Sequence, residues 1–95
     1  MDRSEALRIL AAHRDELRDF GVGRVWLFGS VARDDAGEGS DVDLLVELER
    51  SMGFAFFRLK PLLESWFGCP VDVNTVDGLR DGVRERVLRE AIRAA

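Results

Sequence analysis

Two apolar runs set close together constrain this chain more than any other feature. Val22–Phe28 reads VGRVWLF and Val42–Leu48 reads VDLLVEL, and only ten residues lie between Ser30, just past the first, and Asp41, which opens the second. Each run predicts a strand. In the first, Val25, Trp26, Leu27 and Phe28 follow without a polar break, so both faces should be covered. A crossover between parallel strands takes at least about 10 to 12 residues, its helix included. The link here barely reaches that, so the two strands pair antiparallel if they are neighbours. Antiparallel pairing sets Gly29-Ser30 beside residues 41–43.

The remaining elements follow from periodicity. Residues 2–19 predict a helix capped by Ser4, with Leu7, Leu10, Leu17 and Phe20 at helical spacing and Gly21 as its stop. Residues 30–33 form a helical turn. Residues 54–67 carry a helical pattern that Pro61 interrupts, which predicts a kink or a second helix starting there. Residues 71–75 (VDVNT) alternate as a third strand, Asp77-Gly78 is a turn, and residues 83–94 form a last helix with Val83, Val87, Leu88 and Ile92 inward. The order is α-β-(turn)-β-α-β-α: an α/β (α+β) domain over residues 1–95, with a small mixed three-stranded sheet flanked by helices.

A helix between the second and third strands is the signature of a parallel, right-handed crossover. Parallel strands start at the same edge of a sheet, so Asp72 should lie near Asp41 and Asp43. Residues two apart on a strand share one face, their Cα atoms roughly 6.5 to 7 Å apart, so Asp41 and Asp43 point the same way while Val42 and Leu44 point to the other. Left alone, three such charges repel and raise one another's pKa values; one or two divalent ions would remove that penalty. The competing reading is a set of solvated strand-end acids. Against it, Leu44-Leu45-Val46 buries the strand directly behind the pair, and Asp72 and the Gly-Ser turn converge on the same edge.

Charge and composition narrow the chemistry. The formal net charge is −4, against a protein that holds nucleic acid directly by neutralising phosphates. With 46% hydrophobic and 34% charged residues the chain reads as globular. Its single cysteine, Cys69, can form no intramolecular disulfide and reads as a buried structural thiol; no leader and no run long enough for a membrane span is present, so a cytoplasmic location is expected. His13, the only histidine, reads as a solvated or boundary residue without ligand neighbours.

Other motifs fail on spacing. An EF-hand begun at Asp34 would place Leu45 where a bidentate Glu is required. A phosphate-binding P-loop begun at Gly29 finds Asp34 and Asp35 where Gly and Lys are needed, and the only lysine, Lys60, is far away in sequence.

Gly29-Ser30, ten residues, then Asp41-Val42-Asp43-Leu44 resembles the signature of the DNA polymerase β-like nucleotidyltransferase superfamily. The fuller string GSVAR…SDVDLLV, with VDVNT downstream, is similar to its minimal nucleotidyltransferase (MNT, MntA-like) branch, over nearly the whole chain. Asp34 departs from it, standing where the family usually has glycine.

The resemblance implies Mg²⁺ dependence, two ions being expected, and transfer of a nucleoside monophosphate from ATP or another NTP. It also implies a role as antitoxin to a HEPN-domain toxin, some such antitoxins adding AMP to a toxin tyrosine. On this reading Gly29 and Ser30 bind the triphosphate, and Asp41 and Asp43 hold the metals. Asp72 completes the second metal's shell or takes the acceptor's proton. Arg33 either neutralises phosphate or pairs with Asp34, Asp35 or Glu38, Ser40 is counted with the nucleotide-binding residues and caps or tightens the loop before Asp41, and Asn74 either lines the site or makes a strand-end hydrogen bond. Residues 52–57 read as core or as a docking surface for a partner or a second copy. The alternative function is an antitoxin that neutralises its toxin by direct binding; a small-molecule acceptor is less expected, because such enzymes usually carry an added domain.

Overall fold

Strand 42–48 sits at the centre of the sheet, and everything that positions the carboxylates hangs on it. The computed structural model describes residues 2–33, 41–50, 53–79 and 81–94. Its elements are α1 (Arg3–Ala12), α2 (Arg14–Phe20), β1 (Val22–Phe28), α3 (Gly29–Ala32), β2 (Val42–Leu48), α4 (Phe56–Phe67), β3 (Val71–Thr75), α5 (Asp81–Glu90) and β4 (Ile92–Arg93), with short 3₁₀ turns at Gly53–Ala55 and Val76–Gly78. The sheet order is β3-β2-β1-β4. β1 pairs antiparallel with β2 and with β4, and β2 pairs parallel with β3, as the link lengths require.

One face of the sheet carries the core. Val25, Leu27, Val42, Leu44, Val46 and Val71 meet Ala6 and Leu10 of α1, Leu17 of α2, Val31 of α3, and Leu59 and Leu63 of α4, all buried. At roughly 1.5 to 3 kcal/mol for each large apolar side chain fully buried, this cluster supplies most of the driving force. Leu45, which points to the other face, is also fully buried, as is Val76. Both faces of the sheet are therefore covered at the middle of β2. For β1, where the sequence led to that expectation, the second face is covered only in part, since Trp26 and Phe28 are half-buried and Arg24 is exposed on that face.

Three expectations are corrected. The first helix is two helices broken at His13, and its cap is Asp2 rather than Ser4: the Asp2 carboxylate accepts from the Glu5 N–H at 2.8 Å. At the break, His13 stacks on Trp66 with ring centroids 4.0 Å apart, and its Nδ1 lies 2.9 Å from the Ile9 carbonyl. That places it at the boundary, as expected. Second, α4 runs through Pro61 as one helix. The buried stripe Leu59, Leu63 and Phe67 outweighs the roughly 3 kcal/mol that an interior proline costs. Pro61 lies on the exposed side, and the carbonyl it leaves without a donor is that of Phe57, itself mostly exposed.

Third, the last helix stops at Glu90 and the chain turns into β4, making four strands rather than three among the described residues. Ile92 fits the helical period, which is why the sequence reads as helix. In the fold it pairs with Leu27, and the Ala94 N–H donates to the Val25 carbonyl at 2.8 Å. Pairing the open edge of β1 satisfies main-chain groups that two more helical residues would not.

Candidate active site

The register of the sheet places the acids. Asp43 stands opposite Phe28 on one side and opposite Asp72 on the other, so the end of β1 and both carboxylates form one row across three strands. Asp41 lies just before β2 and is exposed, Asp43 is half-buried, and Asp72 is exposed on the edge strand. Val42, between Asp41 and Asp43, is fully buried and holds them at the strand's mouth.

The turn after β1 is built against this row. Gly29 has φ +76°, a left-handed conformation that a side chain resists, and a Cβ there would collide with the Asp43 carboxylate. Glycine is required on both counts: nothing larger lets the chain turn into α3 while lying on Asp43. Ser30 follows, half-buried, in the single helical turn closed by the Arg33 N–H donating to the Gly29 carbonyl at 3.2 Å. The first amides of such a turn have no helical acceptor.

Electrostatics mark Asp43 as the centre. Its carboxyl is held above its ordinary value of 3.8, first by burial, then by the charges of Asp72 and Asp41, while the Arg33 guanidinium pulls it down. The repulsion anticipated among the three acids thus acts on Asp43. Arg33, exposed at the end of the turn, acts on the same carboxylate. Cys69 is half-buried and its thiol is pushed up chiefly by burial, which leaves it a poor nucleophile. Asn74 is exposed and, by strand alternation, on the Asp72 face. Ser40, Asp34, Asp35, Glu38 and Met52 lie outside the described residues.

The acids fit a hard divalent cation in donor chemistry, all oxygen and mutually repelling. Among the described residues, however, no three His, Cys, Asp or Glu side chains are gathered closely enough to hold a metal ion by themselves. Mg²⁺ is commonly held by one or two carboxylates with substrate phosphates supplying further ligands, which suits a pair such as Asp43 and Asp72 with Asp41 close by.

A feature not foreseen from the sequence adjoins the row. A cleft of about 240 Å³ lies between α4 and β3, lined by Phe56, Phe57, Lys60, Pro61 and Glu64 on one side and by Asp72 and Val73 on the other. Lys60, twelve residues before Asp72 in sequence, is brought into the same cleft as that acid. The available signal was the surplus of phenylalanine at positions 54–57: Phe54 and Phe57 are 89% and 74% exposed. A second cavity, of about 320 Å³, lies at the other end of β1 among Arg14, Arg18 and Arg93 and includes none of the three acids. No helix among the described residues is long and apolar enough to cross a membrane.

Comparison with known proteins agrees with this geometry. Residues 10–94 match the nucleotidyltransferase domain family. The protein adenylyltransferase MntA of Thermococcus cleftensis is 42% identical over 86 residues, covering 88% of this chain and 87% of the relative. A solved minimal nucleotidyltransferase superposes with a TM-score of 0.84 at 42% identity, covering 97% of this chain and 95% of that one. A chain from the complex of a tri-AMPylated Shewanella oneidensis HEPN toxin with its MNT antitoxin gives a TM-score of 0.68 at 18% identity, covering 95% of this chain and 71% of that one, a likeness of fold alone. With the Gly-Ser turn and the acid row of this fold in place, the chain belongs to the nucleotidyltransferase domain family and is a nucleotidyltransferase of the minimal, MntA-like kind.

Proposed function

We propose that the chain is a Mg²⁺-dependent protein adenylyltransferase that moves AMP from ATP to a hydroxyl of a HEPN-domain partner. The observation that carries the proposal is the row Phe28–Asp43–Asp72, with Gly29 folded onto Asp43. The similarity to an MntA named as a protein adenylyltransferase supports the reaction class. The likeness in fold to an assembly described as an AMPylated HEPN toxin with its antitoxin supports the partner class.

In this reading the amides of Gly29 and Ser30 and the Ser30 hydroxyl hold triphosphate oxygens, since free donors at the start of a helical turn favour anions. Asp41 and Asp43 would hold the metal with Asp72 beside them, and the ion when bound would neutralise phosphate charge and polarise the acceptor hydroxyl. Arg33 offsets further charge. Asp72, exposed at the sheet edge, receives the acceptor's proton or passes it to water. The acceptor oxygen forms a bond to the α-phosphorus as the bond from that phosphorus to the bridging oxygen breaks, and pyrophosphate leaves.

The test is transfer of label from α-³²P-ATP to a co-expressed HEPN-domain protein. Joint replacement Asp41→Asn and Asp43→Asn should abolish labelling while the pair still co-purifies; full labelling by the double variant would refute the proposal.

A further inference from the structure

We propose that the cleft between α4 and the outer edge of β3 receives the acceptor as an extended polypeptide segment lying alongside β3, with its hydroxyl delivered to Asp72; this rests on the adenylyltransferase reading above.

Asp72 belongs to two places at once. It is paired with Asp43 across the sheet, and it lines the cleft with Phe56, Phe57, Lys60 and Pro61. The cleft therefore opens onto the acid row. An acceptor hydroxyl reaching Asp72 from the sheet edge approaches from the side opposite the Gly29 turn, because Asp43 lies between them.

The edge itself offers what a polypeptide backbone seeks. β3 ends the sheet. The Pro70 carbonyl accepts from the Val42 N–H at 3.1 Å, which turns residue 70 toward β2, while the Val71 N–H turns away and donates to the Glu64 carboxylate at 3.3 Å. Main-chain groups alternate in direction along a strand, so Val73 also turns its N–H and carbonyl outward, into the cleft. Glu64 caps the first outward donor, and among the described residues no side chain caps the next. An added strand would pair with Val73, and its side chain next to Asp72 would sit about 4.5 to 5.5 Å away between Cβ atoms, near enough for a hydroxyl to reach the carboxylate.

The rim explains the exposed aromatics. Phe57 is 74% exposed although it stands beside Phe56 in edge-to-face contact at 6.5 Å between centroids. Together with Pro61 these rings make an apolar wall for side chains of a segment whose backbone lies on β3. A small-molecule acceptor would use neither the open strand edge nor so long a wall. A second copy of this chain is the other possible occupant, and the test below separates it.

The experiment measures AMP transfer to a HEPN-domain protein at varied acceptor and ATP concentrations. Phe57→Ser, at an exposed position, should raise the KM for the acceptor at least tenfold with kcat and the KM for ATP unchanged. Val73→Pro, which removes the outward N–H from an edge strand that tolerates proline there, should do the same. Unchanged acceptor KM in both variants overturns the proposal. So does a Phe57→Ser effect confined to the chain's own mass in solution, which would assign the cleft to a second copy. If the wild-type chain transfers no AMP, the adenylyltransferase reading fails; calorimetric titration with the HEPN-domain protein then judges the cleft, Phe57→Ser abolishing binding if it holds and leaving it intact if it does not.

Discussion

Gly29→Ala, set against Gly68→Ala, separates the cost of a backbone turn from the cost of moving a carboxylate. Both glycines are left-handed, with φ +76° and +70°. Alanine in that conformation costs roughly 1 to 2 kcal/mol, and in a domain of this size each kcal/mol lowers Tm by about 4 to 8 °C. At Gly68, which ends α4, nothing lies within 4 Å of the added methyl, so strain is the whole effect. At Gly29 the methyl collides with one Asp43 carboxylate oxygen and sits 3.2 Å from its Cγ. The carboxylate must swing out of the row or the turn must lift away. A shift near 1 Å at a reacting centre costs on the order of 10²-fold in rate. Thermal melts and AMP transfer to a HEPN-domain protein read the two effects. Gly68→Ala should lose stability and keep transfer; Gly29→Ala should lose at least as much stability and about 10²-fold in transfer. Transfer by Gly29→Ala within a few-fold of wild type refutes the placement of that turn on Asp43.

Asp43→Asn should stabilise the metal-free chain while it destroys transfer. The folded pKa of Asp43 is raised above 3.8, so the folded state holds its proton more tightly than the unfolded chain. The resulting penalty is absent below pH 3.8, grows as pH rises through the folded value, and is complete at neutral pH. Melts in chelator should therefore show the variant's advantage widening from acid to neutral pH, and an advantage that does not change with pH contradicts the assignment. Leu63→Ala removes a fully buried side chain and should cost about 2 to 5 kcal/mol, read as a lower denaturant midpoint at constant m. A loss below about 1 kcal/mol would mean that α4 does not pack as described.

The site was legible because link lengths restrict topology more tightly than propensities do. Ten residues between Ser30 and Asp41, and a helix between Leu48 and Val71, were enough to bring Gly29, Asp43 and Asp72 to one edge. What stayed hidden depends on contacts distant in sequence. Ile92 continues a helical period, and only the unpaired edge of β1 makes it a strand. The break at His13 carries no glycine or proline, and there the ring packs on Trp66, more than fifty residues away. Lys60 looked remote from the chemistry because α4 had no assigned position beside β3. The capping error is of a different kind. Asp2 and Ser4 are both competent caps, and local pattern alone could not choose between them.

β2 interleaves two duties at single-residue spacing. Val42, Leu44, Leu45 and Val46 have no solvent exposure, and Asp43 is set among them. Amides of so buried a central strand exchange with solvent only when the whole domain opens, whereas those of an edge strand exchange through smaller openings. The spacing between Asp41 and Asp43 should thus persist through every partial opening of the molecule, while Asp72 on β3 can part from them without global unfolding. On the proposed reading Asp43, with Asp41 just before its strand, would form a fixed half of the site and Asp72 a detachable half, so acceptor exchange would leave the first two in place.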